Sequence, residues 1–385
     1  MHGADSKPHR RSKKLNKNLF IVRPKGLNVG NDAIYLGLKA LISRNFGEMP
    51  NIITLPATSK YENSGKAGLT ASTVHEINQY GHGVIVGGGN LYENSELDFD
   101  LQAIRRLDPP LMLFSLSRGR IHGRDDSLVE RTDAMLDERI VALNERADIS
   151  LSRDPATQTH LESLGISKSL MAACPTLFLS GIASRLPEVR KTNLGATLIS
   201  IRTPELMNIS LRRQAQVHGQ VLSIYKLLTK LGHENIQLLC HDSRDVGFAA
   251  SFGEIPYIYQ SDPYDFLSLI KSARSIISFR IHASIPAASF GTNFVNISYD
   301  ERASSLMEAV GLKEWDLNLV ESKDLIGDIQ SRLETPHVLD QLRGERAQQW
   351  ASIFSLQNEK MDQFFRLMSE YQGAQSASLP RSKNN

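Results

Sequence analysis

The sequence predicts an α/β protein with two doubly wound, Rossmann-like units that face each other across a cleft. Short β-type runs alternate with amphipathic helical segments, which predicts parallel sheets with crossover helices on both faces. The alternation pauses near residues 176–193 and then starts again, so two such units follow each other along the chain. The length of 385 residues exceeds what one small core needs and agrees with two domains.

The first unit, residues 18–180, begins with a predicted strand and a helix whose apolar residues fall on one face. We expect Asn31 or Asp32 to cap this helix. The strands predicted for this unit are Asn18–Arg23, Ile52–Leu55, Val84–Val86, Leu111–Leu116 and Ile149–Ser152. Its other predicted helices are a long one at Ser127–Arg146 and a shorter one at Pro155–Leu164.

The second unit, residues 190–335, repeats this pattern. Apolar residues at helical spacing from Val217 to Leu231 predict a helix that ends near Gly232. The predicted strands are Ala196–Ile201, Ile236–Cys240, Tyr257–Tyr259, Ser275–Phe279 and Phe294–Ile297. Residues 336–372 are predicted to form an amphipathic helical segment, and residues 373–385 a disordered tail.

Composition argues against several classes of protein. The formal net charge of +2 is too close to neutral to predict nucleic-acid binding. No apolar run reaches membrane-spanning length, and no secretory signal is visible. The cysteines, Cys174 and Cys240, have no metal-ligand spacing, so we expect a cytoplasmic protein with neither a metal nor another cofactor. Basic residues crowd residues 1–17, which predicts a disordered tail that either solubilises the protein or contacts anionic lipid head groups.

Arginine residues follow several predicted strands, at the ends where parallel sheets bind ligands. Arg118, Arg153 and Arg202 each lie just after one strand. The planar guanidinium group suits phosphate and carboxylate, because it bonds them with two parallel N–H groups. One arginine alone is more commonly a surface ion-pair member, but several that face one cleft favour an anion site.

The strongest signal in the chain is the pair Arg280 and His282, which follows the apolar run Ser275–Ile277. Strand alternation would point both side chains the same way. Histidine titrates near neutrality, so it can donate a proton at cytoplasmic pH. The pair therefore predicts an anion held beside a proton donor.

Two loops with glycine also follow predicted strands. Asn28, Gly30 and Asp32 lie at the start of the first helix, where backbone N–H groups favour an anion or a hydroxyl group. A tight turn without a ligand is the simpler explanation.

The second loop contains the glycine triplet with Gly88 and Gly89, followed by Asn90. The triplet predicts the close approach of a ligand or of other backbone, and a sharp turn without a ligand is the alternative. Four carboxylates follow the triplet, and one of them could be a base that deprotonates a sugar hydroxyl. The sequence does not show which one. They are Glu93, Glu96, Asp98 and Asp100.

Five ordered segments resemble the polysaccharide pyruvyl transferase family, and the resemblance extends from about Asn18 to Leu312. The segments are Asn28–Ile34, Val84–Leu91, Leu151–Asp154, Ile199–Arg202 and Phe279–Ala283. The Arg-x-His-Ala element of the last segment, followed by a helix of small residues, is the most specific. The chain departs from the family pattern at Asn31, at Asn90 and at Ser115–Gly119.

The resemblance implies a fold similar to that of the two-domain B-type glycosyltransferases. It also implies transfer of pyruvate from phosphoenolpyruvate onto two hydroxyls of a sugar, which gives a cyclic ketal and phosphate. Arg153 and Arg280 would hold the donor, with Arg202 and Arg118 nearby, and His282 would be the acid. The acceptor would belong to a polysaccharide or a lipid-linked glycan at the cytoplasmic face of the membrane.

Two other functions stay open from the sequence alone. A B-type glycosyltransferase with a nucleotide-sugar donor would have a similar helix and turn at Ser284–Asn293. The glutamate that binds the ribose in those enzymes is missing between Arg280 and Tyr299. A non-catalytic carbohydrate-binding protein is the second alternative.

Overall fold

Two six-stranded parallel sheets form the framework of the protein and confirm the predicted fold class. The computed structural model describes residues 17–60, 65–93 and 95–378. The predicted basic tail lies outside the described residues apart from Lys17, whose carbonyl accepts a hydrogen bond from the backbone of Asn51. Residues 379–385 also lie outside them.

The strands are short, and nearly all of those in the middle of each sheet are buried. They are β1 Asn18–Arg23, β2 Asn51–Pro56, β3 Gly83–Gly89, β4 Leu111–Leu116, β5 Ile121–His122, β6 Leu128–Val129, β7 Ile149–Ser152, β8 Ser169–Met171, β9 Thr197–Ser200, β10 Ile236–Cys240, β11 Tyr257–Tyr259, β12 Ser275–Ser278, β13 Asn293–Ser298 and β14 Asp316–Asn318.

The α-helices connect these strands across the faces of the sheets. They are α1 Val29–Asn45, α2 Ala71–Tyr80, α3 Leu101–Ile104, α4 Asp137–Arg146, α5 Pro155–Ser163, α6 Leu211–Lys230, α7 Val246–Ala250, α8 Pro263–Ser272, α9 Ile281–Phe290, α10 Glu301–Ala309, α11 Leu325–Glu334 and α12 Pro336–Ser378.

The order of the strands determines where a ligand can bind. The first sheet has the order β2-β1-β3-β4-β7-β8, and the second has the order β11-β10-β9-β12-β13-β14. If the second sheet is renumbered along the chain, its order becomes 3-2-1-4-5-6, that of the Rossmann fold. The direction of winding changes between β1 and β3 in one sheet and between β9 and β12 in the other. Ligands bind beyond the carboxyl ends of the strands at such points.

Backbone and side-chain hydrogen bonds join the two units on the side where these strand ends lie. The backbone N–H of Val29 donates to the carbonyl of His241 at 2.9 Å. The hydroxyl of Ser305 accepts from the backbone N–H of Ala156 at 2.9 Å and donates to Asp154 at 3.3 Å. The two hydrogen bonds of Ser305 hold α5 of the first unit against α10 of the second.

Helix α12 returns from the second unit to the first. Its side chains Phe364 and Met368 are fully buried beside Leu19 and Ile21 of β1. A side chain at Gly83 would collide with them, since its Cβ would lie 2.6 Å from the Cγ of Met368. The helix thus covers one face of the first sheet, and it extends to Ser378, into the segment predicted as a tail. Gln375 donates a hydrogen bond to the hydroxyl of Tyr371 one turn earlier, which favours this extension.

Two local predictions are wrong. The segment Ser127–Arg146 is helical only from Asp137, because residues 128–129 pair with residues 121–122 as a hairpin. The chain then runs to a buried contact between Arg131 and Glu93, which overrides the local helical pattern. The cap of α1 is Asn28 rather than Asn31 or Asp32, because its side chain accepts from the backbone N–H of Gly30 at 3.1 Å.

Truncation of Phe364 tests the role of α12. We expect Phe364→Ala to lower the free energy of unfolding by about 3–5 kcal/mol, because a fully buried aromatic ring leaves a cavity. Urea unfolding measures the change. Arg366→Ala, on the exposed side of the same helix, is the matched control and should change it by less than about 0.5 kcal/mol. Equal effects of the two variants would show that α12 is not part of the core.

Candidate active site

A polar pocket of about 320 Å³ lies between the two units, at the points where both sheets change their direction of winding. Asn28 and Asn90 reach it from the ends of β1 and β3, and Arg202 and Arg280 from the ends of β9 and β12. The charged residues of its lining are Lys60, Glu96, Asp133, Arg153, Arg202, Glu205, Arg244, Arg280, Asp300 and Arg302. Cationic side chains outnumber acidic ones in this lining, so the pocket favours an anion.

Three α-helices begin at the pocket. The residues that precede their first turns, Asn28 for α1, Arg280 for α9 and Asp300 for α10, all belong to its lining. The N-terminus of a helix carries partial positive charge and backbone N–H groups that have no partner within the helix. The helices therefore add to the attraction of the side chains for an anion.

Arg153 supplies the buried cation of the first unit. It follows β7 and is only 2% exposed, and its Nε has no hydrogen-bond partner among the described residues. Asp154 lies 3.6 Å from that Nε, but its other oxygen caps α5 by accepting from the backbone N–H of Thr157. Part of the hydrogen-bonding capacity of Arg153 is therefore available to a ligand.

Arg280 and Arg202 supply cations from the second unit and share a carboxylate. The two oxygens of Asp245 lie 3.3 Å from Nη1 of Arg280 and 3.4 Å from Nη1 of Arg202. Asp242 pairs with Arg202 from behind and with Arg244. Burial would raise the pKa of Asp242, but hydrogen bonds from Arg244 outweigh burial and bring it to about 2. Asp242 thus stays ionised, and the two acids hold the arginines in place.

Arg302 completes the cationic wall, and the sequence analysis missed it. It lies four residues after the end of β13, so the rule that found the other arginines, a cation just after a strand, did not single it out. Its guanidinium group bonds Asp300, and its Nε lies 3.5 Å from Glu93. Burial raises the pKa of Glu93 to about 7, although Arg302 and Arg131 oppose the shift.

His282 also lines the pocket, but not for the predicted reason. Strand β12 ends at Ser278, Arg280 is the extended residue before α9, and His282 lies in the first turn of that helix. A strand-to-helix junction, rather than strand alternation, brings the two side chains to one pocket.

The protonation of His282 differs from the prediction. Burial, together with Arg153, Arg280 and Arg302, holds the pKa of His282 well below its usual range. The imidazole by itself is therefore neutral at pH 7, not poised to titrate there. Its Nε2 is buried and has no hydrogen-bond partner among the described residues.

Gly30 acts through His282. A Cβ atom at Gly30 would lie 2.7 Å from both Cβ and Cγ of the histidine, closer than real side chains come. The glycine therefore lets α1 approach the imidazole from the first unit. The close contact shows a packing role for Gly30, and its role as a backbone ligand stays a prediction.

Several predicted site residues lie outside the pocket lining. Asp32 pairs with Arg23 at 2.7 Å, and Arg118 pairs with Glu130 at 2.8 Å. Gly88 and Gly89 have positive φ angles of 75° and 100°, and a side chain at Gly88 would collide with Ile34 of α1. Gly88 therefore lets the side chains of α1 pack on β3, a contact that the sequence analysis did not anticipate.

The four candidate carboxylates have different surroundings. Asp98 accepts hydrogen bonds from Ser59 and Thr58, and Asp100 caps α3. Glu96 lines the pocket, and Glu93 lies behind Arg302. Within residues 17–60, 65–93 and 95–378, no three histidine, cysteine, aspartate or glutamate side chains are grouped as a metal site would require.

A comparison with known protein families gives a match over most of the chain. The model of the polysaccharide pyruvyl transferase family matches residues 28–301, more than half of the chain. The match includes Arg153, Arg202, Arg280 and His282, and it confirms the resemblance that the five segments indicated. Comparison with curated proteins gives no match.

Solved structures with a similar fold include two proteins that act on or bind nucleotide sugars or nucleotides. S. aureus MnaA, in a structure with UDP, is 14% identical, with a TM-score of 0.54 over 86% of this chain and 91% of that one. Neisseria meningitidis UDP-GlcNAc 2-epimerase, bound to UDP-GlcNAc, is 12% identical, with a TM-score of 0.54 over 85% and 94%. At such identities the likeness shows the fold alone. None of the helices in the described part of the chain is long and apolar enough to span a membrane.

Substitution of Gly30 tests whether α1 positions the histidine. We expect Gly30→Ala to lower kcat by roughly 10²-fold, because a displacement of about 1 Å at a catalytic group has that effect. Steady-state kinetics measure the change, and circular dichroism checks the fold. Gly219→Ala, in helix α6, is the control, because its Cβ would meet nothing within 4 Å. Unchanged turnover in Gly30→Ala would contradict the role of Gly30.

Proposed function

The chain belongs to the polysaccharide pyruvyl transferase family, and on that premise we propose the reaction that it catalyses. It transfers the pyruvyl group of phosphoenolpyruvate onto two hydroxyls of one sugar in a polysaccharide or lipid-linked glycan. The products are a cyclic pyruvate ketal and phosphate. The observation that carries this proposal is the convergence of Arg153, Arg202, Arg280 and Arg302 on one small pocket that also contains His282.

The charge and size of the pocket suit this donor. Phosphoenolpyruvate is a small molecule with about three negative charges, in a phosphate group and a carboxylate. Guanidinium groups bind both groups with two parallel hydrogen bonds. Arg153 approaches from the first unit and Arg280 from the second, so the two anionic groups of one donor could each meet a separate arginine.

The chemistry requires an acid, an anion clamp and a base that accepts a proton from the attacking hydroxyl. The acid protonates C3 of the donor, and C2 takes on oxocarbenium character. One sugar hydroxyl attacks C2, the bond from C2 to the phosphate oxygen breaks, and the second hydroxyl closes the ketal. One hydroxyl proton leaves with the phosphate as hydrogen phosphate. The other returns to the group that protonated C3, which regains its protonated form. Atoms and charge balance without any oxidant or reductant.

His282 is the proposed acid, and its environment links protonation to donor binding. The cations around the imidazole hold its pKa low. A bound trianion would place opposite charge beside the same cations, and so would raise the pKa of His282 again. The imidazole would thus become an acid when the donor arrives. A general acid contributes roughly 10²–10⁴-fold to the rate.

The nucleotide-sugar alternative has less support. The similar solved structures with nucleotides share the fold alone, whereas the family match includes Arg153, Arg202, Arg280 and His282 of the pocket. The acceptor at the cytoplasmic face of the membrane, reached through a peripheral contact of the basic tail, remains part of the proposal. That tail lies outside the described residues.

Phosphate release tests the function directly. The protein should release phosphate from phosphoenolpyruvate with at least one member of a panel of hexosides, and mass spectrometry should find the ketal. Arg280→Ala should raise the KM for phosphoenolpyruvate by about 10²-fold, because a hydrogen bond to a charged group contributes about 1.5–3 kcal/mol. Turnover of a nucleotide sugar, without any from phosphoenolpyruvate, would reject the proposal.

Arg343→Ala is the matched control for Arg280→Ala. Arg343 is also mostly buried, but it bonds the carbonyls of Gly291 and Thr292, away from the pocket lining. Its loss should reduce stability and leave the KM for phosphoenolpyruvate within a factor of two. An equal rise of KM in both variants would indicate a general loss of structure rather than a lost donor contact.

Proton uptake tests the role of His282. Donor binding should take up protons at pH 7, because the pKa of His282 is low in the free protein and higher beside the trianion. The affinity for phosphoenolpyruvate should therefore fall as pH rises, by up to about tenfold per pH unit between the two pKa values. Calorimetry in buffers with different ionisation enthalpies measures the uptake. His282→Gln should bind the donor with less uptake, and equal uptake by wild type and variant would remove His282 as the acid.

A further inference from the structure

A larger groove lies beside the cationic pocket, on the first unit. Its volume is about 1140 Å³, against about 320 Å³ for the pocket, and Asp133 lines both. The two cavities therefore meet at this residue. A small donor fits the pocket, and the groove has room for a chain of several sugars.

The charge of the groove is opposite to that of the pocket. The described lining contains four acidic residues, Glu93, Asp98, Asp100 and Asp133, and one cation, Arg139. Arg131, which is not part of the lining, pairs with Asp133 and with Glu93 and offsets part of this negative charge. The guanidinium group of Arg139 lies 4.4 Å from the centre of the Phe99 ring and donates to the Phe99 carbonyl. The one cation of the described lining is thus held against the wall of the groove.

Glu93 marks the junction of the two cavities. It is only 1% exposed, and neither of its carboxylate oxygens has a hydrogen-bond partner among the described residues. Arg302, which lines the pocket, lies 3.5 Å away, whereas Glu93 itself lines the groove. Arg131 and Arg302 lie 3.2 Å and 3.5 Å from its two oxygens, but neither oxygen accepts a hydrogen bond from them, and a donor group on a ligand would reduce the energetic cost of this burial. Sugar hydroxyls are such donors.

The groove also has an apolar surface. Leu97, Phe99, Leu101, Met135 and Leu136 lie in its lining, and Leu136 is 63% exposed. The C–H faces of a sugar ring can pack on such side chains, while its hydroxyls meet the carboxylates. A lining of this kind combines apolar contact with a few polar groups that fix orientation.

We propose that the groove binds the glycan acceptor and selects an uncharged glycan over one that carries uronate or phosphate groups. The reacting sugar reaches the cationic pocket past Asp133, and the next sugars lie against Asp98, Asp100 and Leu136. This inference depends on the proposed function. A carboxylate on one of these next sugars would lie among like charges and lose hydration, which weakens binding.

The test compares two acceptors that differ only in charge. The reacting hexose is the one that releases phosphate in the panel, presented as a disaccharide on either glucose or glucuronate. At low salt the wild type should use the neutral disaccharide with a kcat/KM at least about tenfold higher. The preference should narrow at 0.5 M salt, because screening weakens the repulsion of partly exposed charges. Equal use of both disaccharides at low salt, or a preference that salt leaves unchanged, would overturn the inference.

Two variants of Leu136 test whether the groove causes the preference for the neutral disaccharide. Leu136→Lys places a cation among the acidic residues and should reduce the preference for the neutral disaccharide several-fold. Leu136→Gln, which changes polarity without charge, should reduce it less. Equal effects of lysine and glutamine would place the discrimination elsewhere and contradict the inference. Failure of every hexoside to release phosphate would reject the proposed function itself, which separates the two results.

Discussion

The burial of several guanidinium groups at the facing ends of two sheets is the constraint on which the rest of the site depends. A buried charge needs a partner of opposite charge, and Asp154, Asp245 and Asp300 supply such partners. These acids are bonded from behind by backbone N–H groups or other cations, as Asp245 is by Thr203. The arginines are therefore held in place but not fully satisfied, as the unpartnered Nε of Arg153 shows. An anion in the pocket would complete the arrangement.

The fold explains why these groups meet. Each sheet opens a crevice where its winding reverses, and the two crevices face each other. Helices α1, α9 and α10 begin there, so their N-termini point toward the same space. Packing then sets the position of the imidazole, since the absence of a side chain at Gly30 lets α1 lie against His282. The same cations that favour an anion also hold the pKa of the imidazole low, which in the proposed reaction would couple the protonation of His282 to donor binding.

The sequence predicted the features that depend on local patterns. Apolar runs predicted the central strands. Their position just after such strands singled out Arg153, Arg202 and Arg280, because parallel strands end at one edge of a sheet. Arg118 satisfied the same rule, yet it pairs with Glu130, the residue that follows β6, and lies outside the pocket lining. Arg302 was missed because it lies four residues after the end of β13, in the first turn of α10.

Features set by contacts between distant segments could not be predicted. The role of Gly30 depends on a histidine in the other unit, and the helix predicted from Ser127 was interrupted by the contact of Arg131 with Glu93. The low pKa of His282 arises from burial and from arginines of both units. None of these can be inferred from residues that are neighbours in the sequence.

A crystal structure with phosphoenolpyruvate bound would test the central claim most directly. The account predicts that the phosphate and carboxylate contact arginines from both units, Arg153 and Arg280 among them. It also predicts that C3 of the donor lies about 3–3.5 Å from Nε2 of His282, close enough for proton transfer. A donor bound outside this pocket, or bound with C3 facing away from the imidazole, would contradict the account.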